Sequence, residues 1–230
     1  MLGLSPDDLT AIALSLRIAI VATLASLPFG IAVAYALARW RFPGKALVNG
    51  LVHLPLVLPP VVTGYLLLVA FGRRGIFGQA LADVGIVLAF RWTGAALACA
   101  VMGFPLMVRA MRLSFEAIDP RLEAAAGTLG ASPAWRFVLV SLPLAVPGLI
   151  VGSILAFARA LGEFGATITF VANIPGETQT IAAAIYTDVQ DPNGDAAALR
   201  LTLVSIVISL AAVMLSDLLQ QRLEGKLARR

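Results

Sequence analysis

The feature that most restricts this chain is the length of its uncharged apolar runs. Residues 18–38, 46–72, 92–108, 137–158 and 201–216 contain no Asp, Glu, Lys or Arg. A bilayer core about 30 Å thick requires about 20 apolar residues of helix, so each run is a candidate span. The third is short but follows another apolar piece, residues 84–90. The fifth is also short; its apolar neighbours extend it, and Arg200 can carry its charge back to the interface. Composition agrees: 60% of the residues are hydrophobic and 13% charged, with mean hydropathy +0.92. A soluble domain averages about 45–50% apolar and about 25% charged. The expectation is an all-α integral membrane protein, a polytopic helical bundle of about five transmembrane helices.

Residues 164–176 and 178–187 are uncharged too, but each is too short to span, and Pro175 and Gly176 interrupt them. A re-entrant or surface helical hairpin is expected there, since irregular backbone at membrane depth survives only against protein or a water-filled cavity. Residues 1–230 read as one transmembrane domain with a core of about 9–217 and a basic tail at 218–230. The first ten residues are acidic rather than basic, and the following run is too long for a signal sequence, so the first span is expected to stay in the protein. Orientation follows Lys and Arg. With the N-terminus outside, the inside holds Arg39, Arg41, Lys45, Arg109, Arg112, Arg121, Arg136, Arg222, Lys226, Arg229 and Arg230, eleven of the 17. The pair Arg73 and Arg74 dissents. The net charge of +4 is thus a topology signal and calls for no nucleic acid.

Several chemistries are excluded. Cys99 and His53 are the only residues of their types, which rules out an internal disulfide and leaves no basis for a zinc cluster or a His-based triad. No catalytic group, cofactor or metal site is expected. Ion-coupled carriers place ionisable groups in their spans, and these runs carry almost none, His53 near one interface being the exception. The phosphate-cradling G-x-x-x-x-G-K-[ST] loop is also missing. Any driving energy must come from another subunit.

Two regions invite function. The segment 109–136 is long for an inside loop, and within it Asp119 or Pro120 can start a helix. Leu122, Ala125, Ala126 and Leu129 recur at helical spacing, and Gly130, Ser132 and Pro133 end the pattern. The small residues Ala124 to Gly127 would let a partner's backbone come close. Either an interfacial helix on lipid or a docking helix for a cytoplasmic protein fits. In the second region, Pro55, Pro59 and Pro60 interrupt the run 46–72 near His53, Thr63 and Gly64. Each proline removes a backbone donor, which gives either a repaired kink or a broken segment lining a passage. Arg159 and Glu163 stand four apart, as a minor intrahelical pair or as part of an outer mouth with the following Gly165 and Thr167.

The string EAAAGTLGASPAWRFVLVSLPLAVPG resembles the EAA loop of binding-protein-dependent ABC importer permeases, with Glu123, Ala124, Ala125, Gly127 and Leu142-Pro143 matching its pattern. The strings LVHLPLVLPPVVTGYLLLVAFGRRGIFG and LAFARALGEFGATITFVANIPGETQTIAAAIY, with FPGKAL, are similar to permeases of molybdate importers. The resemblance covers about residues 9–217. It implies a type I importer fold acting as a homodimer in the bacterial cytoplasmic (inner) membrane. It also implies cytoplasmic ATPase subunits docked on Glu123, Ala124, Ala125, Gly127, Leu129 and Gly130, and a periplasmic molybdate-binding protein. Pro55, Pro59, Pro60, Thr63, Glu163, Gly165 and Thr167 are the candidate path or gate. Sulfate or tungstate through the same machinery is the near alternative; an ion-coupled carrier or a membrane enzyme is the distant one.

Overall fold

A computed structural model describes residues 4–227 of the chain, and among them the regular structure is helical. Ser5 caps the first helix, α1 (Pro6–Arg39), through a reciprocal capping box with Asp8. Its 34 residues reach about 51 Å at 1.5 Å per residue, so it protrudes well beyond a bilayer core. It starts earlier than the run 18–38 because Arg17 is accommodated, its guanidinium lying 3.8 Å over the Trp92 ring.

The run 46–72 is not one straight span. It divides into α2 (Lys45–Val57) and α3 (Pro60–Phe71), bent by 114° at Leu58 and Pro59. Pro59 and Pro60 lack the donors that would carry the helix through. α2 runs antiparallel alongside the later helix α5 (Trp92–Ala117), and α3 turns across the end of the bundle that carries Trp92. A short helix, α4 (Ile76–Asp83), follows it. The apolar piece 84–90 is a connection rather than part of a span.

Segment 109–136 also departs from expectation, because α5 continues as helix to Ala117. Arg112 and Glu116 explain this: their Nε and Oε1 atoms are 2.7 Å apart at i,i+4 spacing, which supports helix. Arg112 Nη1 also donates to Asn49 Oδ1 of α2 at 2.9 Å. The connection is therefore short and contains α6 (Pro120–Thr128) and α7 (Pro133–Arg136).

α7 passes through a π-helical turn, Phe137–Ser141, into α8 (Leu142–Leu161). Pro143 explains the turn: its ring crowds the preceding carbonyls and it supplies no N–H, so the backbone widens just before it. α8 crosses α5 closely. A Cβ added at Gly152 would lie 2.8 Å from the Met107 carbonyl oxygen, and one at Gly103 would lie 3.1 Å from that of Ala156. Small residues permit such approach between helices in lipid.

The segment 164–187 forms α9 (Gly165–Val171), a loop turning at Gly176, and α10 (Ile181–Gln190), which extends three residues further. Neither helix is long enough to span. The Ile181 N–H donates to Ser15 Oγ at 2.7 Å, fastening α10 to α1. The last helix is α11 (Asp195–Leu227). Among the described residues, four helical rods are long and apolar enough to cross a membrane: α1, α5, Pro133–Leu161 and Asp195–Leu215; the bent α2–α3 pair supplies the fifth candidate. Met1 and the tail residues 228–230 lie outside the described residues.

Candidate functional site: a gate-like crossing and an anchored loop helix

Most of the residues expected along a path meet where α3 crosses α9. A Cβ on Gly64 would lie 2.5 Å from the Ala166 carbonyl oxygen, and one on Gly165 would lie 2.7 Å from Pro60 Cβ. The two helices thus touch nearly backbone to backbone. Thr63 and Thr167 are buried beside this seam. Thr167 Oγ1 donates to the Phe164 carbonyl at 2.9 Å, whereas Thr63 Oγ1 has no hydrogen-bond partner among the described residues.

Glu163 fixes the start of α9. It is 1% exposed, its Oε1 accepts from the Ala166 N–H at 2.7 Å, and its Oε2 lies 2.6 Å from Arg159 Nη1. The pair is therefore no weak surface contact. A buried carboxylate is costly unless paired and hydrogen-bonded, and Glu163 is both. Pro55 stands apart from this group. It lines an apolar cavity of about 610 Å³ between α1, α2 and α5, with Val21, Phe29, Leu51 and Phe104 among its neighbours. Gly64, which the sequence places beside the prolines of the break but outside the candidate path residues, belongs to the seam as well; a glycine among large apolar residues is its signal.

At the opposite end of the bundle, Asp119 caps α6 by accepting from the Arg121 N–H at 2.9 Å, and Pro120 occupies its first position. The chain turns away at Gly130, φ +89°, a conformation glycine adopts without strain. Glu123, Ala126 and Gly127 face the body of the protein, while Leu122, Ala124, Ala125, Thr128, Leu129 and Gly130 are exposed. Of the residues expected to dock, Ala124, Ala125, Leu129 and Gly130 are thus exposed, while Glu123 and Gly127 are half-buried against their own chain. Glu123 Oε1 accepts from Ser141 Oγ at 2.6 Å and lies 3.3 Å from Arg39 Nε. A Cβ on Gly127 would lie 3.3 Å from Arg136 Nη1 of the same chain. The apolar stripe is on the outside instead, with Leu129 88% exposed.

Between α2 and α5, Asn49, His53, Arg109, Arg112, Leu113 and Glu116 line a cavity of about 270 Å³. It lies near the α6 end, away from the α3–α9 seam. Among the described residues, no group of three or more His, Cys, Asp or Glu is placed to hold a metal ion.

Comparison with known proteins sets this geometry in context. Residues 26–225 match the family described as binding-protein-dependent transport system inner membrane component. The chain is 57% identical over 216 residues to the molybdenum transport system permease protein of Escherichia coli (strain K12), covering 93% of this chain and 94% of that protein. It is 34% identical over 226 residues to the sulfate transport system permease protein of Salmonella typhimurium, covering 98% of this chain and 80% of the other. Among solved structures, a bacterial ABC transporter involved in the import of the acidic polysaccharide alginate shares the fold. Its TM-score is 0.74 at 18% identity, over 95% of this chain and 80% of that one.

Proposed function

The chain belongs to the family of binding-protein-dependent transport system inner membrane components, and from that premise we propose that it is the permease through which an ATP-driven importer passes molybdate. The observation that carries the solute is the 57% identity, over 93% of the chain, to a molybdenum transport permease. The sulfate permease likeness at 34% favours a second reading: tetrahedral oxyanions of similar size share the passage, and the binding protein discriminates among them.

In this reading two copies enclose one path. The α3–α9 crossing, with Thr63, Gly64, Glu163 and Thr167, closes it toward the outside, where a binding protein delivers the anion. The exposed stripe Leu122, Ala125 and Leu129 of α6 docks on a cytoplasmic ATPase, with Ala124 and Gly130 allowing close approach. Contiguous exposed apolar surface beside charged residues marks a protein contact. The permease performs no bond chemistry; ATP hydrolysis drives it from the neighbouring subunit. The N-terminus lies outside and the C-terminus inside in this reading, the arrangement that the Lys and Arg distribution favours. A reporter active only in the cytoplasm, fused after Arg230, checks this; an inactive reporter on a well-expressed fusion refutes it.

Reconstitution of the chain with its ATPase and binding protein in vesicles tests the function. Labelled molybdate should accumulate only with ATP, and excess tungstate or sulfate should compete to the degree that the binding protein accepts them. Uptake that persists without ATP refutes the importer reading. Sulfate uptake in the absence of molybdate uptake moves the assignment to the second solute.

A further inference from the structure

The carboxylate of Glu123 joins more of the fold than any other group on the loop helix. Ser141 is fully buried at the end of the π-helical turn, and its hydroxyl donates to Oε1 at 2.6 Å. Arg39 is the last residue of α1, and its Nε stands 3.3 Å from that same oxygen. The Nε contact is an ion pair outside hydrogen-bond geometry. The other arm of the guanidinium, Nη2, donates at 2.8 Å to the carbonyl of Ile118, the residue that caps α5. The Arg39 and Glu123 side chains are 15% and 19% exposed, so water screens the pair less than a surface salt bridge. One carboxylate and one guanidinium thus tie α6 to the ends of α1 and α5 and to the wide turn that leads into α8.

Aromatic contacts hold the same three elements just beneath. Tyr35 of α1 meets Phe115 of α5 edge-on at 5.4 Å and Phe137 of the π turn at 4.8 Å. Such pairs add to the burial of their area and fix ring orientation. The π turn itself comes from Pro143, and π turns inside helices often mark functional sites. Here the widened turn supplies the hydroxyl that holds Glu123.

We propose that Arg39, Glu123, Ser141 and the Ile118 carbonyl form an internal anchor that makes α6 move as one body with these ends of α1, α5 and α8. Glu123 is then a positioning residue inside the permease, and the ATPase meets the opposite face of the helix. The role of the anchor in transport rests on the importer reading above; its existence as a mechanical link does not.

The experiment has two readouts on Arg39→Gln, Arg39→Lys and the reversed pair Arg39→Glu with Glu123→Arg. Hydrogen exchange of the purified full-length chain is read first. Arg39→Gln should speed exchange of the α6 amides about tenfold, the scale set by losing one charge-assisted hydrogen bond. Arg39→Lys keeps the charge but cannot serve both acceptors, and should fall between. The reversed pair should recover part of the protection lost in either single change. The second readout is the reconstituted complex: Arg39→Gln should still co-purify with the ATPase, while molybdate carried per ATP hydrolysed drops about tenfold, the same scale. Unchanged exchange in Arg39→Gln overturns the anchor, and wild-type transport per ATP overturns its role in transport. Loss of the ATPase from a folded Arg39→Gln complex also overturns it, because docking would then depend on this cluster rather than on the outer face of α6. If exchange rises as expected but the wild-type complex shows no ATP-driven uptake, the importer reading fails and the anchor stands.

Discussion

Gly64→Ala puts the α3–α9 seam under a defined load. The new Cβ would lie 2.5 Å from the Ala166 carbonyl oxygen and 2.9 Å from both Ala166 Cα and Thr169 Cβ. Optimal carbon contacts lie at about 3.5–4.0 Å, so the helices must separate by roughly an ångström. The nearest obstacles are backbone atoms, which no rotamer change can move. Overpacking of this kind costs about 1–3 kcal/mol, which corresponds to a shift of about 5- to 150-fold in the equilibrium between closed and open seam. The chain carries its own reporter. Cys99 is its only cysteine, is 1% exposed, and sits in the same apolar cluster as Leu67, Ala166, Phe170 and Val171. The rate at which a membrane-impermeant maleimide labels Cys99 from the α9 side should rise by that factor in Gly64→Ala. Gly50→Ala is the control, since nothing lies within 4 Å of its added Cβ. Labelling of Gly64→Ala as slow as that of the parent chain would refute the claim that this glycine holds the seam closed.

Substitutions at three other places test the structure further. Leu129→Asp or Ala125→Glu on the exposed face of α6 should remove the ATPase on co-purification, while Gly127→Ala, which meets only the movable end of Arg136, should retain it. Glu163→Ala removes the cap of α9 and leaves Arg159 without its partner; it should lower stability in detergent by about 3 kcal/mol, the lower end for breaking a buried pair because Arg159 is partly exposed. Asp188 has its pKa raised by burial and then by Asp8, with Arg200 opposing. The folded state therefore holds the proton more tightly than the unfolded chain, so this group's contribution falls as pH rises from the ordinary carboxylate range through the raised value. Asp188→Asn should flatten that slope and raise thermal stability at neutral pH; an unchanged melting profile on either count would contradict it.

Much of the fold was legible because span length is a strong physical constraint: an apolar run without charges has few places to go. The loop helix was legible in its bounds for a similar reason, since Asp119, Pro120 and Gly130 are local start and stop signals. Its orientation was not. Apolar periodicity ordinarily marks the buried face, yet here Leu122 and Leu129 point outward and Glu123 points in. The partner that settles Glu123 is Arg39, 84 positions earlier, and no local pattern reports a pairing at that distance. The prolines at 59 and 60 announced a break, but its angle depends on α3 finding α9. Charges at Arg109, Arg112 and Glu116 read as loop, although their spacing also suits a helix leaving the membrane.

The anchor and the gate-like seam lie at opposite ends of the bundle, so any coupling between them needs a stiff connection, and the α5–α8 contact has the character of one. Gly148 approaches Ser114, Gly152 approaches the Met107 backbone, and Gly103 approaches Ala156, so the two helices meet along their lengths with little side chain between them. Flexible side chains could absorb a displacement; backbones in contact pass it on, because close-packed interiors transmit strain rather than dissipate it. α8 begins at the turn that holds Glu123 and ends two residues before Glu163, whose carboxylate sets the start of α9. A displacement of α6 therefore has one continuous helix through which to reach the seam. The bulky Met107 and Met111 fill the space between that helix pair and α1. In the importer reading, rigidity along α8 and a break at Pro59 are complementary: the first would deliver the motion, and the second would let α3 yield to it without dragging α2.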